Sequence, residues 1–184
     1  TSSGNSYNVG GVVGYNLGSV SECYSKGIVN GGAQGTYGGL VGFNAGTVER
    51  CSVIGGTVDG DTGMRIGGLV GENDEGAEIS QCFASASVVQ TYASYYDVGG
   101  LVGLNDRATI TNSYATGSVT AVGTSVGGLV GGNYKATITY SYATGEPSGG
   151  GSVGGLIGSL TATSTVTDAY WDTDTSGTAT SAAG

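Results

Sequence analysis

The chain has 184 residues, including 39 glycines and a single proline, and carries a formal net charge of −9 from 14 acidic and 5 basic side chains. Collagen is excluded because glycine does not recur at every third position and proline is rare. A nucleic-acid partner is disfavoured because the basic residues are dispersed, whereas phosphate binding needs clustered Lys and Arg.

The surface chemistry favours a protein outside the cell. Only 10% of the residues are charged, so the surface must consist mostly of Ser, Thr, Asn, Gly and Tyr. That composition is typical of secreted bacterial repeat proteins, and we expect an extracellular or cell-surface location. No apolar run approaches the ~18 residues of a membrane span. Because Thr1 follows neither an initiator Met nor a signal peptide, we expect a mature protein or a fragment of a longer one.

A motif of the form Gly-Gly-Leu-Val-Gly organises the sequence. Its six copies begin at residues 10, 38, 67, 99, 127 and 154, in steps of 27 to 32 residues. A period of about 20–50 residues indicates an array of one structural unit. The sequence therefore predicts a single repeat domain over 1–184, with repeats at about 10–37, 38–66, 67–98, 99–126, 127–153 and 154–184.

Each repeat reads as three short strands. The glycine motif is the first strand, a β-branched segment is the second, and a shorter segment leads to the next glycine pair. An asparagine two residues after each of the first five motifs predicts a corner, because Asn tolerates left-handed backbone and bonds its own turn. These features predict an all-β fold, a parallel β-helix (β-solenoid) of about six coils with ~28 residues and three strands per coil. A propeller is disfavoured because its blades need about 40–50 residues.

Equivalent positions in the second strand would align as columns along the solenoid. The fourth position holds only small residues, which predicts an inward column that begins with Cys23, Cys51 and Cys82. The fifth position gives an aromatic column of Tyr24, Phe83, Tyr114, Tyr142 and Tyr170. Facing outward, that column could bind sugar or protein by stacking. We favour packing instead, although strict alternation does not fix its direction because each side is expected to bend.

Three local departures from the repeat stand out. Residues 90–97 form the longest insertion and contain three tyrosines. Pro147 precedes a serine and three glycines, which predicts a flexible corner. Trp171 stands where most other repeats hold Ala or Ser, so we expect it to end the regular stack, whereas the first coil has no obvious cap.

The repeat resembles a known family. Gly-Gly-Leu-Val-Gly-x-Asn followed by Ile-x-x-Ser-Tyr-Ala-Thr-Gly, at Gly99–Gly117 and Gly127–Gly145, resembles the GLUG repeat. The ending Tyr170-Trp171-Asp172 is similar to the way such arrays finish. The resemblance covers essentially the whole chain and implies a β-solenoid without chemistry of its own. It also implies surface proteins of bacteria or archaea, large adhesins and the non-catalytic parts of immunoglobulin A peptidases.

The sequence predicts no enzyme. Without any histidine, a Ser-His-Asp, Cys-His or His-containing zinc-protease site is impossible. Paired carboxylates could still cleave glycosides, and one predicted corner carries four candidates. We favour a solvated acidic loop for these residues, which are Glu72, Asp74, Glu75 and Glu78.

Metal binding has one weak candidate. Residues 172–177 read Asp-x-Asp-x-Ser-Gly, like the opening of a calcium loop with Asp172, Asp174 and Ser176 as ligands. The bidentate Glu expected later in such a loop is replaced by Ala183, and an ordinary turn is favoured.

The cysteines do not suggest a cofactor. They lack the fourth ligand that zinc requires, so no cofactor is expected. We predict packed free thiols, with a Cys23–Cys51 or Cys51–Cys82 disulfide as the alternative.

A Thr-x-Thr pattern recurs in the last three repeats and resembles the flat ice-binding faces of some antifreeze solenoids. The alternative is that Thr simply suits an exposed strand. The array consists of Thr109, Thr111, Thr137, Thr139, Thr165 and Thr167.

Together these features predict a non-enzymatic structural or adhesive module of a cell-surface protein. The alternative is a subunit of an extracellular filament joined end to end, and ice binding ranks third. The expected partners are accordingly other copies of the chain, or a glycan or protein on a host or cell surface.

Overall fold

The computed structural model describes residues 7–32, 34–92 and 96–184 and confirms a parallel β-solenoid of six coils. Strands at equivalent positions of successive coils pair in parallel and build five sheets, which we number in chain order. Part of the predicted tyrosine-rich insertion, residues 93–95, lies outside the described residues.

The first two sheets flank the glycine motif. The first contains β1 (Tyr7–Gly10), β6 (Gly35–Gly38), β11 (Arg65–Gly67), β16 (Asp97–Gly99), β21 (Ser125–Gly127) and β26 (Ser152–Gly154). The second contains β2 (Val13–Asn16), β7 (Val41–Asn44), β12 (Val70–Asn73), β17 (Val102–Asp106), β22 (Val130–Tyr134) and β27 (Ile157–Leu160).

The remaining sheets complete each coil. The third contains β3 (Ser19–Ser21), β8 (Thr47–Glu49), β13 (Glu78–Ser80), β18 (Thr109–Thr111), β23 (Thr137–Thr139) and β28 (Thr165–Thr167). The fourth contains β4 (Tyr24–Ser25), β9 (Ser52–Val53), β14 (Phe83–Ala84), β19 (Tyr114–Ala115), β24 (Tyr142–Ala143) and β29 (Tyr170–Trp171). The fifth contains β5 (Ile28–Asn30), β10 (Thr57–Asp59), β15 (Ser87–Gln90), β20 (Val119–Ala121) and β25 (Pro147–Gly149), and a helical turn, α1 (Thr173–Ser176), follows β29.

The prediction of three strands per coil was too low, because two of the predicted strands are each divided in two. The glycine motif turns between the first and second sheets. The β-branched segment bends between the third and fourth sheets, at one residue per coil with a positive φ of 48° to 55°. None of these six residues is glycine, so composition gave no signal for the division. The bend residues are Glu22, Arg50, Gln81, Asn112, Tyr140 and Asp168.

Glycine is required in the motif because backbones approach one another there. A Cβ on Gly42 would lie 2.6 Å from the amide nitrogen of Val9 and 2.6 Å from the carbonyl oxygen of Gly14. On Gly38 and Gly39 it would meet carbonyl oxygens at less than 3.0 Å. The first two sheets therefore pack at backbone distance, as the expected role in corners and close packing requires.

The core is a continuous apolar column inside the coils. The motif leucines of the later coils are fully buried, as are Ile79, Ile110 and Ile138 of the third sheet.

Pro147, predicted in a flexible corner, instead begins β25 at the edge of the fifth sheet, where a residue without an amide donor is tolerated. In the described part of the chain, no helix has the length and apolar character needed to cross a membrane.

Trp171 ends the stack, as predicted. It occupies the register position of Ala143 in the preceding coil, and its indole Nε1 donates to the carbonyl of Thr178 at 2.9 Å. The tail that follows covers the last coil. There, Gly155 donates to Thr180 at 2.9 Å and Ala182 donates to Ile157 at 3.0 Å, both through backbone atoms.

Candidate binding surfaces

A buried asparagine ladder positions the outer surfaces. Each of the first four side chains donates from Nδ2 to Oδ1 of the asparagine in the next coil, at 2.7 to 2.9 Å, and the fifth, Asn133, donates to the carbonyl of Ala136 at 3.2 Å. The predicted turn role is also present in the first two coils, where the Oδ1 atoms of Asn16 and Asn44 accept from Gly18 and Gly46. The sequence did not reveal the ladder, whose members are Asn16, Asn44, Asn73, Asn105 and Asn133.

The aromatic column faces outward and is exposed at its two ends, whereas the half-buried packing that we favoured is present in its middle. Tyr24 and Tyr170 are 68% and 62% exposed, and Phe83 and Tyr114 are half-buried. The column packs against itself, because Phe83 stacks on Tyr114 at 5.1 Å between ring centroids and Tyr114 stacks on Tyr142 at 4.9 Å. The bend residue before each small inward position reverses the alternation and turns the aromatic position toward solvent.

A hollow opens at the last two coils of this column. Its volume is about 460 Å³, and Tyr140, Ser141, Tyr142, Asp168 and Tyr170 line it. Tyr140 and Asp168 are bend residues of adjacent coils, whereas Tyr142 and Tyr170 are successive members of the aromatic column. Sequence reasoning missed this combination because the bend column holds a different residue type in every coil.

The threonine array lies in register on the third sheet. Thr109 pairs with Thr137 and Thr137 with Thr165, and the second threonines pair in the same way. The Oγ1 of Thr139 donates to that of Thr111 at 3.1 Å. The same sheet continues through Glu78 and Glu49 into the earlier coils, so the uniform array covers three coils.

The cysteine column faces inward at two of its positions. Cys51 and Cys82 are buried, Cys23 is half-buried, and all three are free thiols in the structure. The pKa of the Cys82 thiol is raised to about 12, and burial is the largest of the several causes. The backbone amides of Cys23 and Cys51 donate to the sulfur of the next cysteine at 3.4 and 3.3 Å, so the Cys51 and Cys82 sulfurs serve as acceptors between coils.

Three of the four acidic candidates form ion pairs with arginine. Glu72 is buried, and its Oε2 lies 2.9 Å from Nη1 of Arg65. Burial raises the pKa of Glu72, with the Arg65 charge acting in the opposite direction. Asp74 and Glu75 instead form ion pairs with Arg107, whereas Glu78 is exposed on the third sheet.

The calcium candidates form a capped helical turn. Asp172 is the N-cap of α1, where its Oδ1 accepts from the amides of Asp174 and Thr175 at 3.0 and 3.4 Å. These hydrogen bonds lower the pKa of Asp172. Ser176 is buried, and its Oγ donates to the carbonyl of Thr178. Within 7–32, 34–92 and 96–184, no group of three or more His, Cys, Asp or Glu side chains could hold a metal ion.

Comparison with known families confirms the resemblance. The family model described as the GLUG motif matches residues 5–30, 62–89, 94–120 and 122–146, which together cover more than half of the chain. The second and sixth coils lie outside the matched ranges, yet their strands pair in register with those of their neighbours. No curated protein matched the chain.

Proposed function

The chain belongs to the GLUG-repeat family, and we propose that it is a non-enzymatic extracellular module with a structural or adhesive role in a cell-surface protein. The observation that carries this proposal is the unbroken, in-register stack of six coils. Each coil is held by its neighbours, so the array behaves as a stiff element that keeps outward columns in line. A rigid spacer or a presented binding surface requires that property.

The distribution of reactive groups supports a role without catalysis. The chain has no histidine, and the acidic cluster is divided between ion pairs with Arg65 and Arg107. Buried Cys51 and Cys82 are unsuited to nucleophilic chemistry, which needs an accessible thiolate.

The proposal is tested on intact cells and with purified protein. An antibody against the chain should label intact, unpermeabilised cells of the source organism. Beads coated with the purified chain should bind to glycan or cell surfaces above the level of uncoated beads. Labelling that needs permeabilisation would contradict the location, and binding at the uncoated level would leave only the spacer role.

A second candidate, an end-to-end filament subunit, is favoured by the first coil. Val12, Leu17 and Ile28 are 48%, 75% and 70% exposed there, and a cavity of about 210 Å³ opens onto Val29, Val53 and Val58. Exposed strand edges can template another chain, and head-to-tail contact without closure makes fibres. Electron microscopy should then show filaments that shorten when Leu17→Ser and Ile28→Ser are combined. Short monodisperse rods at all concentrations would argue against assembly.

Ice binding, the third candidate, rests on the in-register threonines of three coils. A positive result would be thermal hysteresis that disappears when Thr137→Glu interrupts the array, as Glu78 does in the third coil. Absence of hysteresis in the parent protein would remove this candidate.

A further inference from the structure

The hollow at the last two coils has aromatic walls and one carboxylate. Within the aromatic column, Phe83, Tyr114 and Tyr142 form a stacked run, and the hollow lies between Tyr142 and the next aromatic residue, Tyr170. Tyr140, 62% exposed, provides a third phenol ring. The hollow is wide open to solvent, and its volume is about 460 Å³.

The carboxylate of the hollow has no counterion among the described residues. Throughout the part of the chain that the structure describes, no Lys or Arg nitrogen lies within 4.0 Å of the Asp168 carboxylate. The bend residue of the first coil, Glu22, instead pairs with Nη2 of Arg50 at 3.2 Å. Among the described residues, the same corner therefore has an arginine-paired carboxylate at one end of the column and a carboxylate without such a partner at the other.

Few other polar groups line the hollow. The hydroxyl of Ser141 is already committed, because it donates to the carbonyl of Thr139 at 2.8 Å and accepts from the amide of Ser113 at 3.3 Å. The phenol groups and one carboxylate remain. A sugar would need several directional donors and acceptors around its ring, whereas a quaternary ammonium group needs none.

We propose that this hollow is a binding site for an organic cation of the quaternary ammonium class. The faces of tyrosine rings carry negative potential and attract such a cation, which is the recognised function of aromatic cages. Asp168 provides the full opposite charge beside them. The chain's net charge of −9 also favours the approach of a cation. The site depends on neither the cellular location nor the adhesive role proposed above.

Comparison of choline with a neutral molecule of the same shape tests whether the hollow recognises the positive charge or only the apolar surface of the ligand. The two probes are choline chloride and 3,3-dimethyl-1-butanol, in which a carbon replaces the charged nitrogen. Each is titrated into the whole chain at constant ionic strength and followed by amide chemical shifts in two-dimensional NMR. We expect choline to shift the amides of residues 140–142 and 168–170, with at least about fivefold weaker binding of the isostere.

The chain itself suggests conservative variants. Tyr140→Asn introduces the residue type found at the same bend in the preceding coil, because Asn112 has a φ of 48° and Tyr140 has a φ of 50°. Asp168→Asn retains a side chain that tolerates left-handed backbone. Tyr170→Ser copies Ser52 of the same column. Each should weaken choline binding about threefold or more while the thermal midpoint stays near that of the parent. Tyr24→Ser, at the opposite end of the column, is the matched control and should bind like the parent.

Four results would overturn the proposal. The first is the absence of shifts with choline, and the second is equal binding of the neutral isostere. The third is loss of binding in the Tyr24→Ser control as large as in Tyr170→Ser. The fourth is saturable binding of methyl glucoside at the same amides without binding of choline, which would identify a sugar site instead.

Discussion

The first and fifth coils share one strand pattern but bury it very differently. At the same motif position, Val12 of the first coil is 48% exposed, whereas Leu129 of the fifth is fully buried. The fifth coil has a neighbour on both sides, and the tail after α1 bonds to the sixth coil and to Trp171. Burial in a solenoid is thus a property of the pair of adjacent coils, and the same residue contributes differently by position.

The largest expected difference in stability between the two coils comes from substitution of the last glycine of the motif. In Gly131→Ala the new Cβ would lie 2.7 Å from the carbonyl oxygen of Gly103 and still closer to the amide nitrogen of Val98. Because backbone cannot yield there, we expect the free energy of unfolding to fall by about 3 kcal/mol or more. Gly14→Ala meets only the carbonyl of Asn8 within 3.0 Å and should cost about a third as much.

Urea unfolding followed by far-ultraviolet circular dichroism measures both glycine variants. Gly150→Ala, whose Cβ would meet its nearest neighbour at 4.0 Å, controls for the glycine substitution itself. Equal losses at Gly131 and Gly14 would show that the two coils are equally constrained.

The motif leucine gives the next largest effect. Leu129→Ala removes a fully buried side chain and should lower the free energy of unfolding by about 3 kcal/mol through lost burial and a cavity. Val12→Ala removes a half-exposed one and should cost less than about 1 kcal/mol. Thermal denaturation of both variants tests the ratio, and a loss at Val12 that matches Leu129 would mean that another chain covers the first coil in solution.

In the asparagine ladder, an interior asparagine bonds to two other asparagines, whereas one at the end bonds to only one. Asn105 accepts from Asn73 at 2.9 Å and donates to Asn133 at 2.8 Å, so Asn105→Ala leaves two buried amides without that partner. We expect a loss of about 2 kcal/mol, and about 1 kcal/mol for Asn16→Ala, which breaks the ladder only toward Asn44. Hydrogen exchange of the adjacent amides should rise locally in both variants. Equal losses from the two would contradict the positional argument.

The smallest effect depends on pH. Burial raises the pKa of Asp97 above its ordinary value, although Ser125, Arg65 and Tyr134 act in the opposite direction. The folded chain therefore holds this proton to higher pH than the unfolded chain does. Its contribution to stability is present at low pH and is lost as pH rises from about 4 through the raised pKa.

Asp97→Asn introduces the residue type that the first coil holds in the same column, at Asn8. At pH 7 the variant should be more stable than the parent by up to about 1 kcal/mol, and the gain should vanish near pH 4. Glu146→Gln, at an exposed carboxylate, is the control and should change neither value. A loss of stability at pH 7 would mean that the charged form is the one that the fold favours.

The periodicity of the sequence made much of the fold predictable. The remaining features depend on contacts between coils and could not be predicted. The Gly-Gly-Leu-Val-Gly spacing sufficed for a six-coil solenoid, and Trp171 identified its end. The five sheets were not predictable because residues such as Glu22 and Arg50 adopt left-handed backbone without being glycine. The same bend made alternation unable to give the direction of the aromatic column.

The candidate site was less predictable than the fold. The asparagines looked like turn residues because their partners lie 28 to 32 residues away in the sequence. The hollow combines Tyr140 and Asp168, which occupy a column that holds a different residue type in every coil, so no repeated pattern indicates it. Positions that hold the same residue type in every coil indicate packing. Positions that differ from coil to coil determine the chemistry of an individual surface.

The left-handed bend has a consequence for how such proteins diversify. It offers one outward position per coil whose identity the fold does not specify, and six coils carry Glu, Arg, Gln, Asn, Tyr and Asp there. All six non-glycine residues accept a backbone cost of roughly 1–2 kcal/mol, which is lowest for Asn and Asp, so exchanges among these residue types are compatible with the fold. New specificity could therefore be acquired, or engineered, one coil at a time by single codon changes.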